Sequence, residues 1–145
     1  EVPGSRSWDA ASTRMASWLE LRDLSVKDKT LFVFNTHFDH VGVEARLESA
    51  RLLERRIAAI AGGHPTILMG DFNTPGGIPG LVTGWEQIAR VPTYPVMRPR
   101  VQFDHVLAHG WTDSPRYRAW SRRLPVSDHN PLAVTITATQ PAPPT

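Results

Sequence analysis

Four short polar clusters stand directly against apolar runs. Asn35-Thr36-His37-Phe38-Asp39-His40 follows Leu31-Phe32-Val33-Phe34, and Gly70-Asp71-Phe72-Asn73 follows Ile67-Leu68-Met69. Phe103-Asp104-His105-Val106-Leu107 is the third, and Ser127-Asp128-His129-Asn130-Pro131 precedes the last apolar alternation. In an extended segment Asp71 and Asn73 point the same way and can share one target. A carboxylate beside an amide offers hard oxygen ligands or phosphate-positioning groups, which suits Mg²⁺ or Mn²⁺. Asp128 next to His129 pairs a hard ligand with a proton-transfer group. Taken singly, each cluster has a simpler reading. An Asp-x-Asn after a strand is usually a turn or a helix cap, and Asp104 reads equally as a strand-end acid bonded to backbone. His64 and His109 read as surface residues, and Arg46, Arg51, Arg55 and Arg56 as the solvated side of a helix. Co-occurrence of all four clusters is what favours chemistry.

The surrounding pattern supplies elements able to hold them. Residues 14–24 alternate Met15, Leu19 and Leu21 with polar positions and, through a polar turn at 25–29, lead into a β-rich run at 30–36; the pair predicts an antiparallel hairpin. From residue 43 to 61, Val43, Leu47, Ala50, Leu53, Ile57 and Ile60 recur at intervals of three and four, and Gly62-Gly63-His64-Pro65 stops the helix. Residues 66–70 form a short apolar run ending at Asp71, which predicts a buried strand. A short helix is expected over 81–89 and strands over 101–108, 116–122 and 132–138. Polar groups at strand ends are where α/β sheets place their sites.

At 145 residues the chain allows one domain. With 41% hydrophobic and 21% charged residues, and no apolar run near the ~20 residues that cross a bilayer, neither a membrane span nor a disordered chain is expected. Zero cysteines remove disulfides, thiolate metal sites and thiol nucleophiles. Net charge is only +2, yet 14 of the 16 cations are arginine, the side chain whose fork suits phosphate or carboxylate. No basic stretch interleaved with aromatic residues is evident, so Trp18, Trp85, Trp111 and Trp120 read as packing or rim residues. The chain opens Glu1-Val2-Pro3-Gly4-Ser5 without an initiator Met or an apolar signal segment, which reads as a processed or excised piece. Residues 1–138 are expected to form the domain, and the Pro-rich stretch 139–145 a frayed tail.

Taken in order, Asn35-Thr36-His37, Gly70-Asp71-Phe72-Asn73, Phe103-Asp104-His105 and Ser127-Asp128-His129-Asn130-Pro131 resemble the endonuclease/exonuclease/phosphatase superfamily, which includes deoxyribonuclease I. With Arg14, the match extends over residues 14–138. The resemblance implies an α/β fold that is a half or truncated form of a four-layered sandwich, with a mostly antiparallel sheet and one long helix. It implies that Asp71 orients or deprotonates the attacking water, and that Asn73 holds a phosphate oxygen or lies beside the metal. His129 would act on the phosphoryl group with Asp104 fixing its tautomer, His37 would be a second imidazole at the scissile phosphate, Arg14 a basic residue near it, and Asp128 a metal ligand with Asp71. The cofactor implied is Mg²⁺ or Mn²⁺.

Two parts of the family pattern have no counterpart here: a first strand bearing an Asn, and a segment bearing a metal-binding Glu. Half a sandwich would expose one sheet face, so a homodimer that packs two sheets face to face is expected. The function expected is a divalent-metal-dependent phosphoesterase, foremost a nuclease cleaving phosphodiesters of DNA or RNA. A phosphomonoesterase or phospholipid head-group hydrolase is the alternative within that chemistry. Outside it stands a catalytically impaired half-domain acting as a binding or assembly module.

Overall fold

The structure, a computed structural model, describes residues 2, 4–24, 29–76, 84–112 and 115–137. Among these residues, seven strands and one helix follow in the order β1 (Ala16–Arg22), β2 (Thr30–His37), α1 (Val43–Ala61), β3 (Thr66–Asp71), β4 (Glu86–Gln87), β5 (Asp104–His109), β6 (Arg116–Ser121) and β7 (Leu132–Thr137). Five strands form one sheet in the order β1-β2-β3-β5-β4, and β6 and β7 pair as a separate ribbon. Within the large sheet β2 and β3 are parallel and the remaining pairings antiparallel. α1 is the crossover between the two parallel strands, the connection such a pair requires.

Period-two alternation decides which residues face α1. Phe32, Phe34 and Thr36 of β2 are buried, and Phe32, Phe34, Leu68 and Leu107 pack with Leu53, Ile57, Ala50 and Ala61 of the helix. The helix spans the predicted residues, but its buried stripe is shifted: Ala45 and Ala61 are buried, while Val43 is 68% exposed. Gly42 supplies no side-chain cap. Asp9 does so from the N-terminal segment, accepting from the Ala45 and Glu44 backbone N–H groups at 2.7 and 3.3 Å. Gly62 ends the helix in the left-handed conformation, as a C-terminal glycine commonly does.

The opposite face of the sheet is covered unevenly. The β6–β7 ribbon lays Tyr117, Ala119, Leu132, Val134 and Ile136 over Ile67, Val106 and Ala108. Beyond the ribbon, Met15, Leu19 and Leu21 of the hairpin and Met69 of β3 remain exposed on that face, at 77, 54, 46 and 38%.

The short helix expected over 81–89 is not seen: residues 81–83 lie outside the described residues, and Glu86–Gln87 is a strand pairing with β5. The edge of the sheet supplies backbone partners that local propensity does not register. The strand expected from residue 101 starts at Asp104, and Val101 instead bridges to Tyr94. Most of the turn at 25–29 and the tail at 139–145 lie outside the described residues.

Candidate active site

Strand register builds the core of the site. His37, the last residue of β2, pairs with Asp71, the last of β3, and Asp71 pairs with Asp104, the first of β5. Directly paired residues project from the same face, so the three side chains form a row across one end of the sheet. Gly70 permits this. Its φ of +145° and the carbonyl oxygen of Thr36, 1.8 Å from where a Cβ would sit, leave no room for a side chain.

Asp71 and Asn73 make a tight local turn. The Asn73 N–H donates to Asp71 Oδ1 at 2.8 Å, with Asn73 in the left-handed region at φ 48°, a conformation Asn tolerates. The Asn73 amide donates to the Phe38 carbonyl at 3.0 Å and lies 3.1 Å from His37 Nε2. Asp71 Oδ2 is left facing two imidazoles, His37 Nε2 at 3.5 Å and His129 Nε2 at 3.9 Å.

His129 is held from its other side. Its Nδ1 lies 2.7 Å from Asp104 Oδ2, which also accepts from the Thr93 hydroxyl at 2.5 Å. Tyr94 and Phe103 pack on the ring at centroid distances of 5.0 and 6.2 Å. Burial alone lowers the His129 pKa, but the Asp104 hydrogen bond and the charges of Asp104, Asp71 and Asp128 outweigh it, and the net shift is upward. His105, next in sequence to Asp104, has the opposite fate. It is buried, stacks on Phe72 at 5.2 Å, takes a hydrogen bond from the Gln87 amide on Nδ1 and gives one from Nε2 to the Thr74 carbonyl. Burial pushes its pKa down, so it stays neutral and structural.

Arg14 and Asp39 form a second cluster beside the row. Burial would raise the Asp39 pKa, but backbone N–H groups of Gly42, Ser12, Val41 and Ala11 hold it far below the usual carboxylate range. Arg14 Nε lies 3.7 Å from this carboxylate, and Nη2 is 3.1 Å from His40 Nδ1. Arg14 and His37 line one open cleft together with Thr13, Met15, Ser17, Asn35 and Thr36.

Asp71, Asp104 and His129 thus come together, with ligand atoms within 4.8 Å of one another, and His37 and Asn73 join them. Arg14 borders the same cleft as His37, whereas Asp128 is exposed beside Ser127 and outside that group of three. Thr93 had no sequence signal, being one threonine in an irregular loop. It is reached because the Val101 carbonyl accepts from the Thr93 N–H and the Asn130 N–H donates to the Thr93 carbonyl, stitching the loop onto the His129 segment. Asp71 Oδ2 is a hard oxygen donor of the kind a divalent cation takes, while Asp104 is already engaged by His129 and Thr93, and no thiolate exists in the chain.

No protein-family profile matches the chain, and no curated protein matches it. Among solved structures it is similar to a mannosyl-6-phosphatase of Bacteroides thetaiotaomicron, with a TM-score of 0.73, 24% identity, and coverage of 92% of this chain and 60% of the other. It is likewise similar to an endonuclease/exonuclease/phosphatase protein of Bacteroides vulgatus, with a TM-score of 0.74, 25% identity and coverage of 94% and 60%. D. rerio TDP2, complexed with a single strand DNA product, gives a TM-score of 0.65, 15% identity and coverage of 90% and 64%. The chain therefore has the endonuclease/exonuclease/phosphatase fold and resembles about 60% of such a domain.

Proposed function

We propose that the chain carries a phosphoester-hydrolysing site built on His37, Asp71, Asn73, Asp104 and His129, and that its reaction is cleavage of phosphodiesters in nucleic acid. The observation that supports this most is the position of the Asp71 carboxylate between two imidazoles, one of them held by Asp104. Asp71 Oδ2 is the carboxylate oxygen free to take a proton from, or orient, an attacking water. His129, its charge favoured by Asp104, opposes the negative charge that grows on the phosphoryl oxygens. His37 and the Asn73 amide flank the same space and hold a non-bridging oxygen, and Arg14 lies one step further along the cleft. A magnesium or manganese ion held by Asp71 would add Lewis-acid charge there.

The single strand DNA product complexed with D. rerio TDP2 favours the phosphodiester reading; the mannosyl-6-phosphatase favours a phosphomonoester as the alternative. The uncovered face formed by Met15, Leu19, Leu21 and Met69 supports the proposal that a second copy packs against this sheet. The test of function is hydrolysis of bis(p-nitrophenyl) phosphate, p-nitrophenyl phosphate and a labelled oligonucleotide with Mg²⁺ or Mn²⁺. Hydrolysis of the diester and the oligonucleotide is expected, with loss on adding EDTA and in Asp71→Ala and His129→Ala. Activity indifferent to both substitutions overturns the assigned site, and no hydrolysis of any substrate favours the impaired binding module.

A further inference from the structure

The outer face of the β6–β7 ribbon has no part in the site just described. Along β6 the residues alternate strictly. Tyr117 and Ala119 pack inward on the core, while Arg116, Arg118 and Trp120 point outward and are exposed, Trp120 at 49%. Arg122 continues the exposed series just past the strand. On β7 the outward neighbours of Arg116 and Arg118 are Thr137 and Thr135, so among the described residues of the two strands this face holds no acidic side chain. Among the described residues, no ion pair involves Arg116, Arg118 or Arg122. In the linear sequence this pattern is hidden, because the intervening core residues break the basic and aromatic positions apart.

We propose that this face is a track for single-stranded nucleic acid, with Arg116 and Arg118 binding successive phosphates and Trp120 stacking on a base. Alternate strand residues lie about 7 Å apart on one face, a spacing suited to neighbouring phosphates of an extended strand. Cations following a backbone beside an exposed aromatic ring are the two elements that single-strand binding uses. The track also has a direction. Arg116 pairs with Thr137 at the far end, whereas Trp120 and Ser121 pair with Ala133 and Leu132, at the end where the chain turns back through His129. A strand laid along β6 therefore runs toward the imidazole, and this part of the inference rests on the phosphoesterase reading of that site.

The test is fluorescence anisotropy of the full chain with labelled dT12 or rU12 in EDTA, over a series of salt concentrations. Arg116→Ala/Arg118→Ala is expected to reduce the slope of log affinity against log salt by about 1.4, from two phosphate contacts at about 0.7 each. Arg116→Lys/Arg118→Lys is expected to restore most of it. Trp120→Ala is expected to weaken binding at least roughly 5-fold, with recovery in Trp120→Phe. The dT12 and rU12 arms report which strand chemistry is preferred. An unchanged slope in the double variant overturns the proposal. So does a duplex binding as tightly as the single strand, or polyphosphate binding equally well with Trp120→Ala silent, which would make the face a general anion surface. Hydrolysis of bis(p-nitrophenyl) phosphate separates the two readings: the track variants stay within twofold of the unaltered chain, and a chain that binds dT12 through β6 but cleaves nothing retains the track and loses the phosphoesterase.

Discussion

His129 Nδ1 lies 2.7 Å from an Asp104 oxygen that simultaneously accepts from the Thr93 hydroxyl. The carboxylate is thereby fixed from one side while it fixes the ring from the other, so Nε2 is turned toward Asp71. Asp104→Asn removes the charge and permits the wrong tautomer, and the rate is expected to fall by roughly 10²- to 10⁴-fold. Thr93→Val leaves the charge in place and frees only its orientation. About a 10-fold loss is expected, equivalent to ~1.4 kcal/mol, with recovery in Thr93→Ser. Steady-state hydrolysis measures both; equal losses in the two variants would contradict this division of roles.

The raised pKa of His129 has a sign that can be checked. Its charged form is favoured in the folded state, so its contribution to stability is fully present below the unfolded value near ~6.5 and is lost as pH rises through the folded value. An NMR titration of the ring is expected to show a midpoint above ~6.5 in the unaltered chain and a lower one in Asp104→Asn. Activity that needs the imidazolium falls on the alkaline side at the same midpoint. A midpoint below ~6.5 in the unaltered chain would contradict the pairing.

Binding of a divalent cation to the folded state raises the melting temperature by mass action. Mn²⁺ or Mg²⁺ is expected to raise it in the unaltered chain and less in Asp71→Asn; a smaller rise in Asp128→Ala as well would assign that exposed carboxylate to the metal. Asp104→Asn gives the contrast, because Asp104 already serves His129 and Thr93. A melt unmoved by metal in all four proteins would favour the binding-module reading.

Gly70 is the residue on which the row of His37, Asp71 and Asp104 depends. Gly70→Ala drives a Cβ into the Thr36 carbonyl and places alanine at φ +145°. A loss of at least about 3 kcal/mol is expected in urea unfolding, from strain and clash together. A loss under about 1 kcal/mol would show that β2 and β3 separate easily.

If a second copy covers the face formed by Met15, Leu19, Leu21 and Met69, light scattering at micromolar concentration gives twice the chain mass. Leu19→Asp/Leu21→Asp is then expected to give a monomer. A monomeric mass for the unaltered chain would overturn the dimer.

Much of this fold is written in local patterns. α1 is legible because apolar residues recur at helical spacing and Gly62 stops it, and β2, β3 and β7 because they alternate or run apolar into a polar end. β4 was illegible, since two residues gain strand geometry only from the edge of β5. Gln87 in that strand secures His105, which neither residue announces by itself.

The sequence alone determined which residue types could do chemistry: His37, Asp71, Asn73, Asp104 and His129 each stand in a polar cluster beside an apolar run. Tertiary structure alone decided how they meet, because register is a long-range property. It aligned His37, Asp71 and Asp104, separated Asp128 from the group of three, and brought Thr93 under Asp104. It also sorted the residues of β6 into an inner apolar face and an outer face of arginine and tryptophan. Burial on one side of a strand makes that distinction, and burial exists only once the ribbon has packed against the sheet.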